Sequence, residues 1–291
     1  MTTAAQKFQT DKSSLRKVSK AKVVPKTVKR ALLCEPTHFN VDYVINPHMQ
    51  PYSVDENLAL KQWNSIVETL RKIGISVDVI DQEPDVPDMV FATDQGIVRD
   101  GAILLANFRY TQRQKERIYY RKWFKDNGFR LRSLSNIFPF EGGDTLFFGD
   151  ILFVGVGFRA SVSSCEELSQ KLEIDVMPLR LMDPYFYHLD MSFLPIDDTT
   201  AFYYPDAMSQ NSQNLLKRII PNLYELTKEE AMSYACNSFV SGKDILISKG
   251  TSKSFRKKLN DIGLTTHELD ISEFKKAGGG IHCLINVLEF K

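Results

Sequence analysis

"GIVRDGAILLANF", residues 96–108, holds two short runs of aliphatic residues joined at Asp100-Gly101. Asp-Gly between two apolar runs signals a two-residue hairpin turn, because both central positions need positive φ. The pattern returns downstream. "DTLFFGDILFVGVGF" (144–158) turns at Gly149-Asp150, "SFLPIDDTTAFYYP" (192–205) at Asp197-Asp198, and "SFVSGKDILISKG" (238–250) at Gly242-Lys243. The four hairpins lie about 45 to 50 residues apart, a period that marks repeated supersecondary units. Amphipathic helices fill the intervals, at 55–74, 111–127, 161–173, 209–219 and 252–262, with apolar residues three and four apart. Two of them end in Asn-Gly or Ile-Gly before a strand-like run ("KDNGFRLRSL", "LNDIGLTTHEL"), as a left-handed glycine terminus predicts. The repeat is structural, with no matching sequence repeat. It predicts an α/β fold, one ring of strand–strand–helix–strand modules over residues 30–291, with the inner strands ending around a central pocket.

The bulk properties are compatible with that plan. The 291 residues suffice for a large buried core. A net charge of +1 gives no reason to expect nucleic acid, and no apolar run is long enough for a membrane span. No secretory h-region is present. Cys34, Cys165, Cys236 and Cys283 are scattered, without paired metal-ligand spacing, so reduced thiols in a cytoplasmic compartment are expected. The first 29 residues stand apart. They carry eight Lys or Arg against Asp11 alone, with few aromatics. Such a segment cannot bury enough surface to order itself, so residues 1–29 are expected to form a disordered tail, with organelle targeting or an anionic-surface arm as the sharper readings.

Chemistry-bearing residues cluster beside the expected strands. "FPFEGGDTLFFGD" sets Glu141 and Asp144 across two glycines. "YFYHLDMSFLPID" sets His188 and Asp190 at i and i+2, on one face if the stretch is a strand. "PDMVFATDQG" puts Asp94 just before a strand, and "GGGIHCLIN" puts Cys283 behind three glycines that can turn the backbone tightly. Singly, each has an ordinary structural reading. Together, one thiol, one imidazole and several carboxylates point to a thiolate nucleophile with a histidine acid/base. The surplus carboxylates point to a cationic substrate. A guanidinium fits best, because its planar fork pairs with carboxylates and its charge lowers a neighbouring thiol's pKa.

With "EGGD", the downstream "HLD" and the terminal "GGGIHC" in order, the chain resembles the guanidino-group-modifying enzymes of the pentein superfamily. These are the arginine deiminases, arginine dihydrolases, dimethylarginine dimethylaminohydrolases and amidinotransferases. "EPTHFNVDYVINPHM" (35–49) is similar to the opening of the shorter dihydrolase-like members. The resemblance covers roughly residues 30–291 and implies a five-bladed α/β propeller of ββαβ modules with pseudo-fivefold arrangement. It implies Cys283 as nucleophile, His188 as general acid/base and Glu141 as its supporting carboxylate. It also implies Asp144 and Asp190 as the guanidinium-holding pair, with Asn46 and Arg159 at the amino-acid end of the substrate. Asn237 is read as structural, a strand-entry residue satisfying local backbone.

The implied activity is hydrolysis of arginine or a close derivative through a covalent thiouronium. Citrulline is the product, and the reaction can continue to ornithine and ammonia. No metal or cofactor is implied, and relatives are often homo-oligomers. A dimethylarginine hydrolase and an amidinotransferase passing the amidino group to an amine are the alternatives. Two departures bear on the choice. Dihydrolase-like members usually carry Asn where Asp94 stands, and dimethylarginine hydrolases usually lack an acid where Asp190 stands. This sequence has both acids. Asp94 is therefore expected as a further substrate-binding carboxylate, and the pair favours an unsubstituted guanidinium. Ala160 replaces a residue that is usually a hydroxyl in relatives.

Overall fold

The computed structural model describes residues 25–135 and 137–291. It contains five three-stranded sheets of identical plan. In four of them a hairpin supplies the first two strands, and a third strand pairs parallel to the second. These are β3 (Gly96–Arg99), β4 (Ala102–Leu105) and β5 (Arg130–Ser133); β6 (Thr145–Phe148), β7 (Ile151–Val156) and β8 (Asp175–Arg180). Then come β9 (Phe193–Pro195), β10 (Thr200–Tyr203) and β11 (Asn222–Glu225), and β12 (Phe239–Ser241), β13 (Asp244–Ser248) and β14 (Thr265–Leu269). A parallel partner needs a crossover, and a helix provides it each time: Glu116–Asp126, Val162–Leu172, Gln210–Ile219 and Lys253–Asp261. Three of these start on a serine N-cap (Ser161, Ser209, Ser252) whose hydroxyl accepts an amide proton of the first turn.

The fifth sheet closes the ring. Its first strand is the last of the chain, β15 (Asn286–Phe290), antiparallel to β1 (Val28–Cys34), which pairs in parallel with β2 (Ser76–Ile80) across the helix Glu56–Lys72. The five first strands begin at Gly96, Thr145, Phe193, Phe239 and Asn286, at nearly even intervals. They face the axis and line one central chamber, so the molecule is a five-bladed α/β propeller. Apolar residues of neighbouring blades fill the space between the sheets and the outer helices, as Phe202, Phe255 and Ile245 do in one sector. No helix among the described residues is long and apolar enough to cross a membrane.

The expected tail boundary at residue 29 is too late. Val28 is 1% exposed and opens β1. Its N–H donates to Ser241 Oγ at 3.0 Å, the Lys26 carbonyl accepts from Gly242 N at 3.0 Å, and the Thr27 carbonyl accepts from Lys291 N at 2.8 Å. Positive charge at Lys26 and Lys29 masked one apolar residue that strand alternation buries. Residues 1–24 lie outside the described part.

Candidate active site

Each inner strand is entered through a short turn, and the chemistry sits there. Asp94 is in the turn Ala92–Gln95 before β3, and Asp144 ends Gly142–Asp144 before β6. His188 and Asp190 belong to the turn around Leu189–Met191 before β9, and Cys283 to His282–Leu284 before β15. Asn237 precedes β12 by two residues. Five turns from five blades thus converge on the axis. His188 and Asp190 are not on a strand as the i, i+2 spacing suggested. The 3-10 turn swings them to different partners.

Cys283 is fully buried. Its Sγ lies 3.1 Å from Asn237 Nδ2 and 3.4 Å from Asp190 Oδ2, and Asn237 Oδ1 accepts from the Cys283 N–H at 3.4 Å. Burial, then the negative charges of Asp190 and Asp94, push this thiol well above its ordinary pKa. In this surrounding the sulfur is a protonated thiol at neutral pH. The Cys283 loop needs small residues. An added Cβ at Gly279 would run into the Phe91 ring, and one at Gly280 would meet the Asn237 amide.

His188 Nε2 is 2.9 Å from Glu141 Oε2, and its Nδ1 is 3.6 Å from Asp94 Oδ1 with no hydrogen-bond partner. Burial opposes a charged imidazole, but the Asp94, Asp144 and Glu141 carboxylates prevail and raise His188 to about 9. It is therefore a cation at neutral pH. Glu141 is held well below the usual carboxylate range. Burial opposes that, but Arg159, 3.0 Å away, and the His188 contact overcome it.

Asp144 is completely buried, and neither of its carboxylate oxygens has a partner. Burial, with Glu141 nearby, raises it well above the usual carboxylate range. Asp190 accepts His282 Nδ1 on Oδ2 at 2.9 Å, while its Oδ1 is also unpartnered. A buried acceptor without a donor is costly, of order 1–3 kcal/mol each. Three such oxygens, one of them on the carboxylate 3.4 Å from the thiol, describe a site built for a ligand rich in N–H groups.

Asp94, expected as a free substrate-binding acid, is engaged within the protein. Its Oδ2 takes Arg113 NH1 at 2.6 Å, and its Oδ1 takes Gly143 N at 3.2 Å. Arg113 also grips Glu116 through Nε at 2.8 Å and NH2 at 2.9 Å. The second acid thus arrives with a buried cation of its own. Arg159, expected at the amino-acid end, sits between the Tyr110 and Tyr187 rings at 4.6 and 4.7 Å and points NH1 at Glu141. Asn46 uses its amide to tie the 46–48 loop to the Cys283 loop, donating to the Ala277 carbonyl at 3.0 Å and accepting from His48 N at 2.9 Å.

Two residues of the site escaped the sequence reading. Asn237, read as a strand-entry residue satisfying local backbone, instead holds the Cys283 sulfur. The signal was positional: it occupies the same place before β12 that Asp94 occupies before β3. Arg113 carried no motif, and only its fold neighbours reveal it. Asp94, Glu141 and His188 present ligand atoms within 4.8 Å of one another, the spacing a metal ion requires. Arg113 and Arg159 already balance both carboxylates there, so the donor set does not suit a divalent cation.

Comparison with known proteins gives three findings. The model of the N,N-dimethylarginine dimethylhydrolase family, eukaryotic, matches residues 35–289. The bifunctional arginine dihydrolase/ornithine cyclodeaminase ArgZ of Synechocystis is 37% identical over 262 residues, covering 88% of this chain and 37% of that protein. This chain thus spans only a part of that relative. The N(G),N(G)-dimethylarginine dimethylaminohydrolase of Mycobacterium tuberculosis is 31% identical over 279 residues, covering 95% of this chain and 91% of that one. Among solved structures, the N-terminal domain of cyanobacterial ArgZ, as a cysteine-to-serine variant bound to substrate, superposes with a TM-score of 0.86 at 34% identity. That match covers 89% of this chain and 97% of the other.

Proposed function

The chain belongs to the N,N-dimethylarginine dimethylhydrolase family, and on that premise we propose that it hydrolyses the guanidinium group of arginine or a close derivative, with Cys283 as nucleophile. The observation that carries this reading is the set of unpartnered buried oxygens on Asp144 and Asp190, with the Asp190 carboxylate 3.4 Å from the Cys283 thiol. A guanidinium supplies the missing donors, and its charge offsets the carboxylates that hold the thiol protonated. Binding of the cation thus generates the thiolate, and the empty enzyme stays unreactive.

Cys283 Sγ then attacks the guanidinium carbon, with Asp144 and Asp190 fixing the planar group. His188, a cation in the empty site, gives its proton to the departing nitrogen as the C–N bond breaks. Glu141, itself anchored by Arg159, holds the imidazole. The amidino carbon stays on sulfur as a thiouronium. Neutral His188 takes a proton from water, the oxygen adds to the carbon, and the C–S bond breaks to release a ureido product. Asn237, donating to Sγ, stabilises the thiolate at both ends of the cycle.

Asp190 favours an unsubstituted guanidinium, since its free Oδ1 needs an N–H that a dimethylated nitrogen lacks. A dimethylarginine hydrolase is the second reading, supported by the family match and the mycobacterial relative. Incubation with arginine, methylarginines, agmatine and simple guanidines, with and without an amine acceptor, followed by product mass analysis, tests the proposal. Citrulline from arginine, lost in Cys283→Ser, is expected. Transfer of the amidino group to the amine would make the protein an amidinotransferase. No product from any guanidino compound would refute the reading.

A further inference from the structure

The inner strands enclose a chamber of about 650 Å³ that the mechanism above does not use. Its outer mouth lies among the hairpin turns, at Asp100, Asp150, Asp197 and Asp198, with Lys26 and Phe290 beside them. Its inner end reaches Thr93, Gly142, His282 and Asp190. Asn46, Arg159 and Tyr187 do not line it, nor does Cys283 itself. The chamber therefore meets the site from the side away from the Asn46 loop, at the carboxylate next to the nucleophile.

We propose that this chamber is the passage by which the amine released from the guanidinium leaves, as an ammonium cation, and the hydrolytic water enters. The inference rests on the guanidinium reading. Its chemical ground is the order of events. When the first C–N bond breaks, the rest of the substrate remains bonded to Cys283, and its tail still fills the way it came in. An amine must depart and a water must arrive before the C–S bond can break.

Three features fit that traffic. Asp190 bounds the chamber, so an ammonium or a water at the inner end meets a carboxylate, one of whose buried oxygens has no partner. His282 Nδ1 occupies the other Asp190 oxygen and holds the carboxylate in place. Among the described residues the lining carries Asp100, Asp150, Asp190, Asp197, Asp198 and Glu289 against Lys26 and Arg99 as fixed cations, which favours a small cation over an anion. At about 30 Å³ per water, the volume has room for roughly 20 molecules. The step balances. Cys283 gives its thiol proton to chamber water as the thiolate forms, His188 donates one proton to the leaving nitrogen, and the amine takes up the proton that the thiol released. The incoming water then returns one proton to His188, its oxygen to carbon and, as the C–S bond breaks, its second proton to the sulfur.

The test is to plug the passage away from the site. Val240 on β12 and Val287 on β15 are half-buried, line the chamber and belong to no part of the catalytic machinery. With arginine as substrate, Val240→Trp and Val287→Trp should each lower kcat about tenfold or more and lower KM with it, leaving kcat/KM within about threefold, because binding and the first C–N cleavage are untouched while resolution of the adduct is slowed. Acid-quenched protein should carry more of the Cys283 adduct by mass. Val240→Ala should turn over like the wild type. A graded set, Val240→Leu, Phe and Trp, guards against a single variant that does not fold, and kcat should fall with side-chain volume. Folded Trp variants with wild-type kcat and no added adduct would overturn the proposal. A wild-type protein inert on every guanidino compound would instead refute the reading on which it rests.

Discussion

At the scale of single residues, the site is a balance of buried charges, and Asp94 is its pivot. It is the largest of the carboxylate influences raising His188, and it also neutralises Arg113. A group whose pKa is raised on folding contributes stability that is full below its unfolded value. For His188 that contribution is lost as pH rises through about 9. In the proposed mechanism the same proton serves catalysis, so kcat on arginine, measured at saturation where the bound cation has already drawn off the thiol proton, should be level through neutral pH and fall on the alkaline side. A profile still climbing at pH 10 would remove His188 as the acid. Asp94→Asn should move that falling limb to lower pH, since one charge holding the imidazolium is gone. It should also cost roughly 3 kcal/mol of stability, read as a lower melting temperature, because Arg113 loses a buried partner. Unchanged stability with an unchanged limb would show that Arg113 and Glu116 suffice alone. None of this pairing was legible in the sequence. Asp94 and Arg113 carry no shared motif, so an acid answered by the protein itself looked like an acid waiting for substrate.

At the scale of elements, the recurring unit is a turn that delivers one side chain to the axis and then becomes an inner strand. The hairpins and crossover helices were readable because their signals are local: Asp-Gly turns, serine caps and apolar periodicity lie within a few residues of one another. Asn237 was not readable, because its role depends on where a turn of another blade lies. Its Nδ2 meets the Cys283 sulfur across 46 residues of sequence. Asn237→Ala removes a donor to a thiolate, so kcat should fall about tenfold or more while the circular dichroism stays native. The Cys283 thiol should also alkylate more slowly in the presence of a small guanidinium than in the wild type. Equal alkylation and equal kcat would return Asn237 to a purely structural role.

At the scale of the whole molecule, the ring depends on a pairing no local pattern announces. β1 and β15 lie at opposite ends of the chain, and Val28, Thr27 and Lys26 bond to Ser241, Lys291 and Gly242. The four internal hairpins predicted four blades. The fifth comes only from joining the ends. A chain that starts after Lys29 should therefore melt several degrees below one that starts after Val24, because the shorter one loses the buried Val28 and three closing hydrogen bonds. Equal melting temperatures would show that the seam is held by β1 beyond residue 29 alone.

That seam has a further consequence. A closed ring of equivalent blades has no privileged starting point, so the order in which the blades are encoded is free to change while their order in space is kept. The Thr27 carbonyl already touches Lys291 N at 2.8 Å, so a short Gly-Ser link can splice the two ends. New ends can be opened at the exposed hairpin turn Asp100-Gly101. Such a circularly permuted gene should yield a protein that folds and cleaves arginine, with its nucleophile now encoded in mid-chain. A permutant that folds but has lost the Cys283 adduct would show that the closing strands must be free to adjust during the reaction.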